Sequence, residues 1–155
     1  MKIITKKAAN KDLDGIMELV KNTTNYHYKI DKYYKPFSKY KGLDKYTKNQ
    51  IKNKNIKMLI AEDGGKIIGR IIGVITKAPS YVTPKKIGEI DDVFIKKNYR
   101  RKGIGKKLFK ELLKWFKIKK IKHIELSVDA RNKIGVNAWK KFGFYDYRVK
   151  MRKDL

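Results

Sequence analysis

A long strand pattern that leads through a glycine-containing turn into a helix pattern is the feature that most constrains this chain. The segment IGEIDDVFI (87–95) is rich in β-branched and apolar residues, which predicts a strand. From Gly103 to Lys117 the apolar residues recur at helical spacing and form an inner face of Ile104, Leu108, Leu112, Leu113 and Phe116. A strand joined so closely to an amphipathic helix is typical of a domain that packs both elements around one core.

The rest of the chain also alternates strand and helix patterns. The runs KMLIAE (57–62) and KIIGRIIGVIT (66–76) flank an Asp-Gly-Gly turn, which predicts a β-hairpin. Residues 22–56 hold six tyrosines, and we expect irregular or short helical structure there, with a helix near 44–53. Further elements are predicted as a strand at 2–5, a helix capped by Asn10 or Asp12, a strand at 123–129, a helix at 134–141 and a strand at 144–151. This order predicts a single α/β domain over residues 1–155 with a mixed sheet.

The composition excludes several kinds of site. The chain has no cysteine, which excludes disulfides, thiolate metal sites and cysteine nucleophiles, and its two histidines are too few for a metal cluster. We therefore expect no metal and treat His27 and His123 as structural. No apolar run approaches about 20 residues, and the N-terminus lacks the apolar stretch of a signal peptide. We expect a cytoplasmic protein that does not associate with membranes.

The formal net charge of +26, from 41 basic and 15 acidic residues, suggests an anionic partner. Lysines occur in nearly every segment, however, and this spread favours a solvated surface over a selected polyanion-binding face. We therefore expect no more than weak polyanion binding. The positive field would still attract anionic ligands, with an effect that salt screens.

The turn before the predicted helix has the features of a phosphate-binding device. The first amides of a helix have no partner within it, the helix dipole places partial positive charge there, and glycine lets a ligand approach the backbone. Gly103 and Gly105 occupy the required positions, and the cations around them are Arg100, Arg101, Lys102, Lys106 and Lys107. The pattern alone does not separate a phosphate site from a plain helix cap.

The segment IDDVFIKKNYRRKGIGKKLFKELL resembles the GCN5-related N-acetyltransferases. It follows their strand, loop and helix with the pattern [Q/R]xxGx[G/A], in which Arg100, Gly103 and Gly105 take the defining positions. A second match follows downstream, where Asn132 opens a helix that leads into KKFGF (140–144), similar to the family's Asn…Tyr-x-x-x-Gly-Phe segment. The resemblance covers residues 87–150. It implies a mostly antiparallel mixed sheet of six to seven strands flanked by about four helices.

The resemblance also implies how acetyl-CoA would be bound. The strand before the turn would splay from its neighbour, and the backbone of Val93, Phe94 and Ile95 would pair with the pantetheine amides. One amide, at Phe94 or Ile95, would hold the thioester oxygen. The pyrophosphate would lie on the amides of residues 101–106, which include Ile104. Asn132 would contact the pantetheine or act as a plain helix N-cap.

The reaction implied is direct attack of a primary amine on the thioester, which needs a base. The candidates are Glu89, Asp91 and Asp92, and strand alternation predicts Glu89 and Asp91 on one face with Asp92 on the other. We favour Glu89 slightly because it lies six residues before Ile95, the spacing of a base in some family members. The alternative is that these acids offset nearby lysines or bind a cationic substrate without moving a proton.

The sequence departs from the family at the acid that protonates the leaving thiolate. Trp139 stands where the family usually has a tyrosine, and an indole N–H donates a hydrogen bond but does not transfer a proton at ordinary pH. Trp139 would either orient the CoA sulfur or pack as core. Water, Tyr145 or Tyr147 would then supply the proton. This departure puts the acid in doubt more than the reaction.

The acceptor and partners stay open at this point. We expect the acceptor, a small-molecule or peptide amine, to be bound by three segments: the tyrosine-rich segment 22–46, the loop 77–86 and residues 145–150. Two competing hypotheses are a family member that binds CoA without turnover and a basic protein associated with nucleic acid or the ribosome. A homodimer fits the resemblance, and the sequence does not decide it.

Overall fold

The computed structural model describes residues 2–155, which form one five-stranded sheet and four α-helices. The strands are β1 (Ile3–Lys7), β2 (Ile56–Asp63), β3 (Lys66–Lys77), β4 (Lys86–Ile95) and β5 (Ile124–Leu126). The helices are α1 (Leu13–Ile30), α2 (Leu43–Lys52), α3 (Ile104–Ile118) and α4 (Lys133–Lys141). The sheet order is β1-β2-β3-β4-β5, antiparallel throughout except for the parallel pair β4 and β5. The predicted mixed α/β fold is confirmed with fewer strands than expected, and no helix among residues 2–155 is long and apolar enough to cross a membrane.

The predicted strand at 144–151 is the main error in the predicted secondary structure. The segment has the alternation of a strand, but it forms none in the structure, and Tyr145 and Met151 are 82% and 89% exposed. Further along, the C-terminal segment contacts residues just after α1 instead of the sheet, since Arg152 lies 2.9 Å from the buried carboxylate of Asp31. Because β5 pairs over three residues alone, it offers only a short edge to a further strand.

Two apolar layers hold the helices against opposite faces of the sheet. On one face, α3 buries Leu108, Leu112 and Phe116 against β2, β3 and β4. The Phe116 ring lies over Gly73 and Gly88, where an added Cβ would come within 2.9 Å and 2.7 Å of ring atoms. These two glycines therefore let α3 approach the strands closely. The other face carries α1 and α2, with buried residues Ile16, Leu19, Ile51, Ile60 and Ile72.

Strand β4 is paired along its whole length on one side and only briefly on the other. It pairs with β3 from Lys86 to Ile95, whereas its parallel pairing with β5 covers Gly88, Glu89 and Ile90 alone. The register with β3 shifts between Ile72 and Gly73, so that Asp91 is an extra residue in β4. The part of β4 after Ile90 consequently presents an edge that no described strand covers.

Candidate functional site

The turn from β4 to α3 leaves the first amides of α3 without a protein partner. Gly103 precedes the helix with a φ of +78°, and no side chain of residues 2–155 caps this end. Helical bonding begins where the Lys107 amide donates to the Gly103 carbonyl at 3.0 Å. A Cβ at Gly103 or Gly105 would meet nothing within 4 Å. Free amides that face open space at a helix N-terminus form an anion-binding geometry.

The basic side chains of this turn divide into two kinds. Arg100 folds back on the strand end, where its Nε donates to the Ile95 carbonyl at 2.9 Å and its guanidinium lies 5.7 Å from the Phe94 ring centroid. Arg101, Lys102 and Lys106 are exposed and form no salt bridge with any residue that the structure describes. Arg100 thus shapes the turn, and the other three leave their charge available to an anion.

The open edge of β4 lies directly before this turn. Val93 and Ile95 pack their side chains towards α3, and Phe94 packs on the α1 and α2 side of the sheet. The backbone groups of this stretch that point away from β3 are left without a described strand partner. Because β5 ends at Leu126, its pairing with β4 stops at Ile90, and the open edge of β4 leads to the uncapped end of α3. The splay that the family resemblance implies stays a prediction.

The β-bulge at Asp91 corrects the predicted placement of the three acids. Glu89 accepts from the Thr76 hydroxyl at 2.8 Å, and Asp92 accepts from Arg70 Nε at 2.8 Å. Arg70 and Thr76 lie on the same face of β3 as Ile72 and Val74, which pack on the α1 and α2 side, so both acids point to that side. The extra residue shifts the alternation by one, and Asp92 does not lie on the opposite face as simple alternation predicts.

Asp91 lies on the same face, beside α2. The side-chain amide of the buried Gln50 lies 3.5 Å from its carboxylate, at the long limit of a hydrogen bond. The protein atoms around Asp91 desolvate it and raise its pKa, and the negative charge of Asp92 raises it further, against an opposing effect of Arg70. All three candidate bases therefore lie on the α1 and α2 face of the sheet, next to the open edge of β4, and we call this group of carboxylates the acidic cleft.

The three acids differ in how their charge is held. Asp92 forms a salt bridge of 2.6 Å with Arg70, which is itself 5% exposed, so this pair is fixed in place. Glu89 is held by one neutral hydroxyl. Asp91 is partly desolvated but keeps part of its surface in solvent, and it has no cationic partner within salt-bridge distance among residues 2–155. Of the three, Asp91 has the carboxylate with the weakest protein contacts, and burial raises its pKa.

Asn132 occupies the N-cap of α4. Its Oδ1 accepts from the Gly135 amide at 3.0 Å and from the Tyr26 hydroxyl at 3.2 Å. The plain helix-cap interpretation is thus realised in the structure, while the pantetheine contact stays a prediction. The Tyr26 contact also connects the tyrosine-rich part of the chain to the start of α4.

Trp139 and Tyr145 are placed very differently. Trp139 lies in an aromatic cluster, with ring centroids 5.8 Å from Phe109 and 5.4 Å from Phe144. Tyr145 points into solvent. Tyr147 is closer to the acidic cleft, because the carboxylate of Glu125 lies beside its hydroxyl and raises its pKa. Its neighbour Glu125 pairs in register with Glu89.

Sequence reasoning missed three residues that shape this cleft: Arg70, Gln50 and Glu125. The sequence pattern could have indicated Arg70, because it is the one charged residue between Lys66 and Lys77 in a mostly apolar strand. A buried strand rarely carries an arginine without a carboxylate partner. No sequence pattern indicates Gln50 or Glu125, since their positions depend on how α2 and β5 pack against β4.

Comparison with known proteins agrees with this geometry. Residues 16–144 match the acetyltransferase (GNAT) family. Among curated proteins, the chain is 27% identical over 138 residues to the uncharacterized N-acetyltransferase MJ1207 of Methanocaldococcus jannaschii. That match covers 89% of this chain and 58% of the relative, so the chain spans little more than half of the relative's length.

Solved structures share the fold at low sequence identity. A mutant of the BH1408 protein from Bacillus halodurans has a TM-score of 0.88 and 18% identity, with 98% of this chain and 99% of that chain covered. AAC(6')-Iy, solved with the bisubstrate analog CoA-S-monomethyl-acetylneamine, has a TM-score of 0.80 and 14% identity, with 100% and 99% covered. The acyltransferase class and the acetyl-CoA cosubstrate predicted from the sequence agree with these findings. Since the family match extends over most of its length, the chain belongs to the acetyltransferase (GNAT) family.

Proposed function

We propose that this chain transfers the acetyl group of acetyl-CoA to a primary amine by direct attack on the thioester. The observation that carries the proposal is the meeting of the open edge of β4 with the uncapped start of α3. An extended amide-containing arm fits the first feature, and a pyrophosphate fits the second. Both features lie on one continuous stretch of backbone, as a ligand with both groups requires.

Binding in this proposal is mostly to backbone atoms. The pantetheine amides pair with the free backbone groups of Val93 and with the free amide of Ile95, whose carbonyl is held by Arg100, and the pyrophosphate lies on the amides of residues 101–106. Arg101, Lys102 and Lys106 supply cations to its oxygens. Of the two amides considered, that of Ile95 points away from β3 and would stabilise the negative charge that develops on the thioester oxygen. The Phe94 amide faces β3, as does the Lys96 amide that donates to the Ile68 carbonyl.

The chemical step brings together acetyl-CoA, bound at the edge of β4, and an amine on one side of the sheet. The neutral amine enters from the α1 and α2 side, its nitrogen forms a bond to the carbonyl carbon, and the C–S bond then breaks. The amine proton passes to a carboxylate of the cleft, directly or through water, and the leaving thiolate takes a proton from water. Asp91 is the base that we favour on structural grounds, with Glu89 as the alternative, because Asp92 is held by Arg70.

The acceptor that the cleft favours is a small cationic amine with more than one amino group. Glu89, Asp91 and Glu125 contribute negative charge on the face where the acceptor would enter, and Arg70 neutralises Asp92 alone. Neamine, the acceptor part of the analog bound to AAC(6')-Iy, has this character. A peptide with a free N-terminus is the second acceptor to test, since one amino group would also fit.

The test is a calorimetric titration with acetyl-CoA, followed by an assay of free-thiol release with a panel of amines. The panel contains aminoglycosides, polyamines and peptides with free N-termini. We expect saturable binding and thiol release with at least one polyamino compound. Thiol release at the uncatalysed rate with every amine, despite binding, would overturn turnover and favour the CoA-binding alternative. Absence of acetyl-CoA binding would overturn the whole proposal.

The alternative of CoA binding without turnover has one observation in its favour. The position where the family has its usual acid is held by Trp139, which packs in an aromatic cluster, and Tyr145 is solvent-exposed. No phenol is thus fixed at the expected place. Because water can protonate a thiolate, we keep the transfer reaction as the first proposal.

A further inference from the structure

The net charge of the chain is concentrated in one region. Residues 93–124 contain 13 lysines and arginines and a single acid, Glu111, so these 32 residues carry a formal charge of +12 out of +26. The other 123 residues contain 28 basic and 14 acidic residues. Basic residues are thus more frequent in this region (13 of 32 residues against 28 of 123), and acids are rarer (1 of 32 against 14 of 123), so a uniform excess of lysine does not explain the difference.

The structure places this charge on the outer face of α3. The exposed positions of the helix are lysines except at its last residue, and they are Lys106, Lys107, Lys110, Lys114 and Lys117. At about 100° per residue, all five lie within an arc of about 100° around the helix. None of them lies within salt-bridge distance of an acid among residues 2–155.

The one acid of the helix does not neutralise this face. Glu111 is only partly exposed, and its carboxylate accepts a hydrogen bond from the Thr5 hydroxyl of β1. The carboxylate is therefore drawn to the sheet side of α3. The lysine face is left with no counter-charge of its own.

The pattern of this face selects among polyanions. Lys110 and Lys114 are separated by a rise of about 6 Å, and the lysines from 106 to 117 extend over about 17 Å. A row of this kind matches the repeated charges of a phosphodiester backbone. Single-strand binders add exposed aromatic rings on which bases stack, and the exposed α3 positions have none. Ile118, at the last residue of the helix, is the one exposed apolar side chain of α3, and a single side chain gives little insertion into a lipid surface.

We propose that the lysine face of α3 binds the phosphate backbone of a nucleic-acid duplex, without reading its sequence. The far half of the face, Lys110, Lys114 and Lys117, lies outside the turn assigned to acetyl-CoA. The proposal therefore does not depend on acetyl transfer, and the two can fail separately. It gives the family fold a second surface, on the side of the sheet opposite the acidic cleft.

The test compares two triple variants that change the net charge equally. One is Lys110→Gln with Lys114→Gln and Lys117→Gln, and the control is Lys45→Gln with Lys48→Gln and Lys52→Gln on α2. The control lysines are also exposed and form no salt bridge in the described part of the chain. Binding to labelled 20-base-pair RNA and DNA duplexes of two sequences is measured by fluorescence anisotropy over a range of salt concentrations.

We expect the wild type and the α2 control to bind with similar salt slopes. The α3 variant should bind about 10-fold or more weakly near 0.1 M salt, and its slope of log affinity against log salt should fall by about 3. The loss of affinity should be the same for both sequences. Tighter binding to RNA or to DNA would identify which duplex the face binds. Unchanged melting temperature and acetyl-CoA affinity confirm that the α3 variant is folded.

Three results would overturn the proposal. Equal losses in the two triple variants would mean that total charge, and not the α3 face, attracts the duplex. Absence of wild-type binding near 0.1 M salt would remove the surface altogether. Binding to anionic phospholipid vesicles that the α3 variant loses, without duplex binding, would assign the face to a membrane.

Discussion

The N-termini of α3 and α4 use opposite solutions to the same problem. Each helix starts with amides that its own turns do not bond. At α4 the Asn132 side chain accepts from the Gly135 amide and fills the space over that glycine. At α3 the corresponding residue is Gly103, no side chain of the described residues bonds these amides, and the space over Gly103 is open. The protein has thus stabilised one helix start internally and left the other available to a ligand.

This comparison separates structural features of the turns from binding features. A cap contributes about 1 kcal/mol to a helix, and α3 forgoes it. Helix α3 does not need this contribution, because it buries Leu108, Leu112 and Phe116 almost completely. The shorter α4 has no fully buried residue, and its cap matters more. A less stable start is therefore placed on the more strongly packed helix.

Replacing Gly103 should have the largest effect, because it changes the helix start that has no cap. In Gly103→Asp a carboxylate beside the free amides competes with the pyrophosphate and repels it, so the affinity for acetyl-CoA should fall at least about 100-fold. Calorimetry measures this loss. Gly103→Asn is the matched control, because it has the same shape, tolerates the positive φ and adds no charge.

The Asn variant should keep more affinity than the Asp variant, since only sterics then oppose the ligand. Equal losses would assign the effect to backbone strain at φ +78° instead of charge. Undiminished binding in Gly103→Asp would remove the cosubstrate from this turn.

Asp91→Asn should lower turnover by about 100-fold and leave acetyl-CoA affinity nearly unchanged, because in the proposed mechanism this residue is the base and does not contact the helix start. The base acts when ionised, so the wild-type rate should fall as the pH falls through the raised pKa of Asp91. The variant should lack this acidic limb. Steady-state rates from pH 5 to 9 measure both effects, and Glu89→Gln is the control.

The pH dependence of stability tests the carboxyl of Asp91 independently of activity. A carboxyl whose folded pKa is raised binds its proton more tightly in the folded state, so the stability it contributes is lost as pH rises through that pKa. Asp91→Asn should therefore melt slightly higher than wild type at neutral pH. If Glu89→Gln, and not Asp91→Asn, removes the acidic limb, Glu89 is the base.

The sequence located the turn well and the acids poorly, for one physical reason. A glycine turn between a strand and a helix is a local pattern, and the hairpin at Asp63-Gly64-Gly65 is local too. The bulge at Asp91 depends on the register with β3, which no local pattern encodes. The strand expected at 144–151 failed similarly, because alternation shows that a segment can be a strand but not that a partner edge exists.

Asn132→Ala sharpens the comparison from the side of α4. Loss of the cap should lower the free energy of unfolding by about 1 kcal/mol, or about 3 °C in melting temperature, with acetyl-CoA affinity within about twofold of wild type. Thermal melting and calorimetry measure the two effects. Asn132→Asp, which can still cap, is the control and should retain the stability. A large loss of affinity in Asn132→Ala would instead establish the pantetheine contact that the family resemblance implies.

Trp139→Tyr should have the smallest effect. The indole packs against Phe109 and Phe144, and a smaller ring with a hydroxyl would lose about 1 kcal/mol of packing there. Because water can protonate the thiolate, turnover should stay within about twofold, as thiol release measures. Trp139→Phe is the control, since it removes the indole N–H without adding a phenol. A several-fold gain in turnover in Trp139→Tyr but not in Trp139→Phe would show that the missing acid limits the reaction. The rate of Trp139→Tyr should then also fall at high pH, where the new phenol loses its proton, and α4 would contribute a residue to the chemistry.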